Sequence, residues 1–288
     1  MVEFNYDEAF KRNIGLTTPQ EQHKIKKFRV AIPGMGGVGG AHLVTLTRMG
    51  FQNFNIADLD EFEVKNLNIQ YGASMKTIGK HKAKAMMQIV KDINPQADIN
   101  CFENAVNKEN LDEFLHGVDI LIDGLDVFEQ DIRRLVYNRA LEKKIPVITA
   151  APMGMGTTYL VFMPGGMNYD QFFDVKEDTP KFEKLLKFLM GVSPKLLHLR
   201  YIFSEYVSLE KGEVPSLTVG VNLAAGVAGT EAMKILLGRG KLMPVPWVYQ
   251  FDAYSYRFKK IKLTFGNAGL IQRGKIALAK RRYADFIN

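Results

Sequence analysis

The sequence predicts a doubly wound α/β fold: a mostly parallel sheet continuing into a mixed sheet, with a helical insertion and a basic C-terminal helix. Three observations predict it. Strand-length apolar runs alternate with amphipathic helix-length segments from residue 28 to 150, the order that builds βαβ crossovers. The first run leads into a glycine cluster, Gly34-Met-Gly-Gly-Val-Gly39. The composition, 47% hydrophobic and 24% charged over 288 residues, is that of a chain that buries a sizeable core. It excludes a disordered chain, and no apolar run approaches the ~18 residues of a membrane span. A single cysteine, Cys101, excludes an intrachain disulfide or a multi-cysteine zinc site.

The elements follow in order. Residues 1–27 are polar with a weak helical period and read as an N-terminal helical arm. Phe28–Pro33 reads as a buried strand, Ala41–Met49 as a helix, and Gly50 as its C′ residue. Phe54–Ala57 is a second strand, ending at Asp58-Leu-Asp60. Lys80–Ile93 is a helix stopped by Asn94-Pro95. Ile99–Phe102 and Val118–Ile122 are further strands, the latter ending at Asp123-Gly-Leu-Asp126. Asp131–Lys143 is a helix and Pro146–Thr149 a fifth strand. Residues 28–167 thus read as a Rossmann-like core, the architecture in which a nucleotide-binding site is expected.

Thr157–Met163 continues the sheet, and residues 168–215 form a helical insertion. Thr179-Pro180 opens one of its helices, and Ser193-Pro194 opens a second through Tyr201. Tyr169, Phe172, Phe173 and Phe203 could line a groove there or pack a core. Residues 216–288 belong to the same globular unit. Gly220–Leu237, apolar on nearly every side, is expected to be a buried helix. Val248–Phe251 and Phe258–Leu263 are late strands. Ile271–Ile287 is a basic amphipathic helix with Ile276, Ala279, Tyr283 and Phe286 on its apolar stripe.

The glycine cluster follows a strand and opens a helix, the context in which a backbone approaches a nucleotide's phosphates closely. The helix N-terminus there supplies free N–H groups. Gly34, Gly36, Gly37 and Gly39 also satisfy a dinucleotide fingerprint, with Asp58 placed for a ribose hydroxyl. That keeps an NAD-dependent oxidoreductase open, although no catalytic His–Asp or Tyr–Lys pair stands out.

The residues beyond the loop carry a more specific pattern. Asp58-x-Asp60, Asn66-Leu-Asn68, Gln70, Gly79-x-x-Lys82 and Asp123-x-x-Asp126 follow it in order. The set resembles the ThiF/MoeB/ubiquitin-activating superfamily over about residues 8 to 165 and again at Gly220 to Gly238. The resemblance implies an enzyme that uses ATP and Mg²⁺ to adenylate a carboxylate. A carboxylate is already a nucleophile, so the task is to bring it to ATP and to offset developing phosphate charge. By resemblance, Asp58 holds the ribose, Lys82 the phosphates and Asp126 the Mg²⁺. Asp60, Asn66 and Gln70 complete the nucleotide site. Arg12, in Phe10-Lys-Arg-Asn-Ile14, matches an arginine that reaches across a homodimer to the partner's ATP. On residue type alone, Lys82 could equally belong to a solvated lysine face with Lys80 and Lys84. Arg12 could be an ordinary surface arginine and Asp60 a turn residue, while Asp123 could only cap its loop. Cys101 reads as a core residue.

Three features depart from the family pattern. Its Asn-x-x-Arg-Gln reads Asn66-Leu-Asn-Ile-Gln70 here, so Ile69 replaces an arginine that contacts phosphate. Lys65 is the nearest substitute, and a degenerate, inactive binding subunit stays open. Paired Cys-x-x-Cys motifs are absent, and no cysteine follows Cys101, so no thioester step is expected. The acyl-adenylate would pass directly to another nucleophile. The expected substrate is the C-terminus of a ubiquitin-like or carrier protein, or a peptide. A tRNA threonylcarbamoyladenosine dehydratase-like enzyme is the alternative.

The net charge of +7 is confined to one stretch: residues 253–288 carry +8 and the rest of the chain −1. The body is therefore no generic nucleic-acid binder, and the tail is where an anionic partner, tRNA included, would act. The acidic N-terminal residues and lone cysteine predict a chain without a signal peptide in a reducing cytoplasm.

Overall fold

The computed structural model describes residues 3–209, 212 and 214–282. It divides into two compact units, residues 1–125 with 225–242 and residues 126–224 with 243–288.

The first unit opens with two short helices, α1 (Tyr6–Ala9) and α2 (Pro19–Ile25). Thr18 and Glu21 form a reciprocal capping box on α2, with Pro19 at its first position. Four strands follow: β1 (Arg29–Pro33), β2 (Asn53–Ala57), β3 (Asp98–Phe102) and β4 (Ile120–Ile122). Their spatial order is β3-β2-β1-β4, all parallel. Val30, Ala31, Ile32 and Ile120–Ile122 are fully buried, as expected of inner strands covered on both faces. Helices α3 (Gly37–Arg48), α4 (Lys82–Ile93) and the short α5 (Leu111–Phe114) supply the crossovers.

The arm is fastened to the far end of α3. Helix C-termini leave carbonyls without intrahelical partners. Here Asn13 Nδ2 and Gln22 Nε2 each donate to the Met49 carbonyl at 3.0 Å, and the Tyr6 hydroxyl donates to that of Gly50 at 2.7 Å. Gly50 has φ +97°, the left-handed C′ conformation that its sequence position predicts.

The second unit contains α6 (Gln130–Glu142) and an antiparallel sheet in the order β5-β6-β7-β8. Its strands are β5 (Val147–Met153), β6 (Gly156–Phe162), β7 (Trp247–Asp252) and β8 (Arg257–Lys262). Along the chain between the second and third strands come α7 (Tyr169–Phe173), α8 (Lys181–Val192) and α9 (Thr218–Leu237), whose residues from Ala225 onward belong to the first unit. The last helix is α10 (Leu270–Arg282). Tyr169, Phe172 and Phe173 are fully buried and pack edge-on or tilted with Tyr137, Phe162 and Phe188. They form a core, while Phe203 is 71% exposed. Helix α10 is docked: Gln272 Nε2 donates to the Met190 carbonyl at 2.9 Å, Ile276 is buried, and Lys280 pairs with Glu183. Tyr283 and Phe286 lie outside the described residues. Among the described residues no helix is long and apolar enough to cross a membrane.

Two sequence expectations are corrected. The second insertion helix is only a 3₁₀ turn, Leu197–Arg200. Leu196 sits at φ 47°, which breaks an α-helix before it starts. Helix α9 is not buried all round, because Val219, Asn222, Gly226 and Thr230 form an exposed stripe. Small residues hid this: an apolar count cannot tell a packed glycine from an open one, and a Cβ at Gly226 would meet nothing within 4 Å.

The 3₁₀ turn leads to a polar cluster. The Tyr201 hydroxyl donates to Asp252 Oδ2 at 2.6 Å and accepts from the Met155 N–H at 2.7 Å. Burial, reinforced by the Asp252 carboxylate, pushes its phenol up to about 12. His198 Nδ1 is buried without a partner, and burial pushes the imidazole below the usual histidine range against the pull of Asp252. The unfolded chain therefore takes up this proton near pH ~6.5 and the fold only lower. Stability should fall as pH drops below about 6.5, until the folded value is passed. Melting temperatures measured from pH ~7 down to ~5.5 should show that decline, and His198→Gln should flatten it. An unchanged slope would place the acid sensitivity elsewhere.

Candidate active site

The loop between β1 and α3 is built by close backbone approach. Gly34 has φ +89°, and its N–H donates to the Ala57 carbonyl at 2.7 Å. A Cβ on Gly39 would stand 1.8 Å from the Gly34 carbonyl oxygen. One on Gly124, just beyond β4, would stand 2.7 Å from the same oxygen and 2.8 Å from the Gly39 Cα. Three glycines thus interlock, and side chains are excluded from the junction. Gly36 is the N-cap of α3 and brings no side-chain oxygen to its first turn. The cradle therefore offers α3's first N–H groups and the positive end of its dipole to an anion.

Carboxylates and a lysine extend the loop as one connected network. Asp58 Oδ2 accepts from the Met35 N–H at 2.6 Å, and its Oδ1 accepts from the Asp60 N–H at 2.8 Å. Asp60 Oδ2 accepts from Lys82 Nζ at 3.0 Å. The Lys82 side chain is only 9% exposed, whereas Lys80 and Lys84 are exposed, so Lys82 is no member of a solvated lysine face. Its place is fixed by a second tie, from its own N–H to the Asp60 carbonyl at 2.8 Å.

A turn after β2 covers the loop. Asn66 is buried and accepts from the Glu63 N–H at 2.8 Å, which folds the turn. Gln70 lies beside Gly36: a Cβ there would stand 3.7 Å from Gln70 Nε2, and Gln70 Oε1 is buried without a partner. Ile69 abuts Gly37 in the same way, at 3.3 Å. Lys65 is exposed and pairs with Glu63 at 3.0 Å.

The structure brings Gly34, Gly36, Gly37, Gly39, Asp58, Asp60, Asn66, Gln70 and Lys82 together within the first unit. Arg12 is exposed on a 3₁₀ turn and outside this network. Asp123 is buried, and its Oδ1 accepts from the Leu125 N–H at 3.0 Å. Asp126 begins the second unit, exposed, with Oδ1 accepting from the Phe128 N–H at 3.0 Å. Cys101 is half-buried on β3, and burial pushes its thiol up. Two contributions were missed by sequence reasoning: Gly124 as the third member of the interlock, and Asp58 as the brace of the loop. The Asp-Gly step after β4 was the available signal for the first.

A cradle that a single Cβ would fill and a buried lysine fit a polyphosphate, and the orphaned Gln70 amide oxygen fits a donor such as a hydroxyl or amino group of the same nucleotide. Comparison with known proteins gives the family. A tRNA threonylcarbamoyladenosine dehydratase of Haemophilus influenzae is 32% identical over 151 residues, 52% of this chain and 57% of that protein. A sulfur carrier protein ThiS adenylyltransferase of Bacillus subtilis is 33% identical over 150 residues, 51% of this chain and 44% of that protein. The chain thus spans about half the length of these relatives. A molybdopterin-synthase adenylyltransferase of Haemophilus influenzae is 24% identical over 267 residues, 91% of this chain and 98% of that protein. Among solved structures, E. coli MccB with ATP superposes with a TM-score of 0.65 at 18% identity, covering 94% of this chain and 74% of the other. That likeness shows the fold. The ThiF family pattern matches residues 10–268, a stretch that holds every strand and the whole loop network, and the chain belongs to the ThiF family.

Proposed function

We propose that the protein adenylates a carboxylate with ATP and Mg²⁺, without a thioester step. The observation that carries this reading is the interlocked glycine cradle joined through Asp58 and Asp60 to the buried Lys82. A substrate carboxylate oxygen attacks the α-phosphorus, the bond to the bridging oxygen of the β-phosphate breaks, and pyrophosphate leaves. The α3 N-terminus and Lys82 meet the phosphates, where charge shifts to the leaving group. Lys82 reaches them by giving up or sharing its bond to Asp60, which is 58% exposed and stays solvated. Mg²⁺, assigned to Asp126 by resemblance, would offset phosphate charge when bound. The substrate is the C-terminus of a small carrier protein or a peptide.

Calorimetry and pyrophosphate–ATP exchange test this. ATP–Mg²⁺ should bind in preference to NAD, and exchange should appear with the right substrate. Tight NAD binding without ATP binding would overturn the reading. The dehydratase relative favours one alternative, a carboxylate carried on tRNA, and exchange supported by tRNA but by no peptide would select it.

Ile69 abuts Gly37 and by resemblance holds the motif position of the family arginine, so Lys65 is proposed to cover the phosphate in its place. Ile69→Arg should then change ATP affinity little, while Lys65→Ala should weaken it about tenfold, the worth of one charge-assisted bond. Rescue of a protein blind to ATP by Ile69→Arg would instead mark a degenerate subunit. The protein is proposed to act as a homodimer, with each Arg12 completing the partner's site. Mixed Arg12→Ala and Asp126→Ala chains should regain about a quarter of wild-type exchange, since one site in the mixed dimer is intact. A mixture that dimerises and stays inactive refutes the trans role.

A further inference from the structure

The antiparallel sheet of the second unit carries side chains that adenylation does not use. Strand β7 alternates, with Val248, Gln250 and Asp252 buried and Trp247, Tyr249 and Phe251 half-buried on the opposite face. The register places Tyr159 of β6 beside Tyr249, and Lys262, Lys260 and Phe258 of β8 beside Trp247, Tyr249 and Phe251. Tyr159 and Tyr249 stack with centroids 4.7 Å apart and planes at 9°, and Tyr249 and Phe258 follow at 6.2 Å and 28°. Phe258 ends this row of rings and is 57% exposed. Lys260 Nζ and Lys262 Nζ lie 4.6 and 5.7 Å from the Trp247 ring centroid. Both lysines are exposed, and among the described residues neither pairs with a carboxylate.

Lysines on an edge strand keep sheets from pairing edge to edge. That accounts for their charge but not for the aromatic row beside them. Rings and cations side by side on a partly exposed sheet face, with Phe258 and both lysines exposed at its edge, match what unstacked bases and phosphates require. The charge is also local, because the chain's whole positive excess lies in residues 253–288, which include β8. A duplex is not favoured, since its bases are stacked on one another and offer an aromatic row their edges rather than their faces. An acidic protein would engage the lysines and leave the π-faces unused.

We propose that the face formed by Tyr159, Trp247, Tyr249, Phe258, Lys260 and Lys262 binds single-stranded nucleic acid, with bases extending the ring row and phosphates meeting the lysines. The proposal is independent of the adenylation reading and fails separately from it.

Trp247 is the chain's single tryptophan, so its fluorescence reports this face directly. The full chain would be titrated with a labelled oligouridylate of about twelve nucleotides, reading anisotropy and Trp247 emission between about 50 and 200 mM salt. Binding should quench Trp247 and weaken with salt. Lys260→Glu with Lys262→Glu, which keeps a charged edge, should weaken binding at least about tenfold and lower the logarithmic salt slope by about 1.4. Phe258→Ala, at an exposed position, should weaken it about tenfold and leave that slope unchanged. The proposal is overturned by no binding at the lower salt, by binding that ignores these variants, or by equal affinity for a duplex. Equal competition by polyglutamate, with Phe258→Ala silent, would show a generic anion site and also overturn it.

Discussion

Gly39→Ala should abolish ATP binding and lower the melting temperature by about 2–10 °C, as expected for overpacking of about 1–3 kcal/mol. The new methyl would stand 1.8 Å from the Gly34 carbonyl oxygen, with the Gly124 Cα at 3.4 Å. Both neighbours are backbone, as is the Gly34 carbonyl carbon at 2.9 Å, so no side chain can rotate away. Gly34 is held by its N–H bond to Ala57, and the cradle can yield only by moving off the end of β1. The control is Gly226→Ala, where the methyl meets nothing and alanine is the better helix former by up to about 1 kcal/mol. That variant should melt slightly higher and bind ATP normally. Scanning fluorimetry and calorimetry measure both. Wild-type ATP affinity in Gly39→Ala would mean that the close approach is not what admits the phosphates.

Lys82→Met should cost about 10²–10³-fold in pyrophosphate exchange, the usual loss when one preorganised charge partner of a transition state is removed. Methionine roughly keeps the buried stem's volume. The partner left behind, Asp60, is 58% exposed and is rehydrated, so no buried charge is orphaned. The melting temperature should therefore stay close to wild type while exchange collapses. Asp126→Ala removes an exposed side chain and should show the same separation of activity from stability. A large loss of stability with Lys82→Met and normal specific activity of the folded fraction would make the lysine a structural strut for the Asp60 turn.

The parallel half of the fold was legible because its signals are local. Val30–Ile32 and Ile120–Ile122 are apolar on both faces, and Gly50 and Asn94-Pro95 stop helices by backbone chemistry alone. The glycine loop was legible for the same reason. What escaped depends on partners distant in sequence. Asp58 carries no sign that the Met35 N–H holds its carboxylate, and Gly124 owes its meaning to an oxygen 90 residues earlier. Lys82 was ambiguous among three nearby lysines, because burial rather than residue type separates it from Lys80 and Lys84. The Ser193-Pro194 start signal was sound locally, yet tertiary ties override it there. Ser193 Oγ accepts from Gln250 Nε2 at 2.8 Å, and the Lys195 N–H donates to Gln250 Oε1 at 2.8 Å. Those bonds bind the segment to β7 instead of continuing a helix.

The fastening of the arm to α3 has a consequence for exchange with solvent. A helix end with unpaired carbonyls opens and closes locally, so its amides exchange deuterium without unfolding of the whole. Just beyond α3 the carbonyls of its cap residue Met49 and of Gly50 are occupied by Asn13, Gln22 and Tyr6, which closes that route from the C-terminal end. The N-terminal end is the glycine cradle, where a nucleotide would close the other. The helix is thus a bar held at one end by the chain itself and at the other by ligand. Amides of residues 43–48 should be protected before ATP arrives, and those of the first turn only afterwards. Loosening the arm, as by Gln22→Ala, would let protection decay from residue 48 toward the phosphate loop, carrying a change at the surface arm into nucleotide affinity with no contact between them.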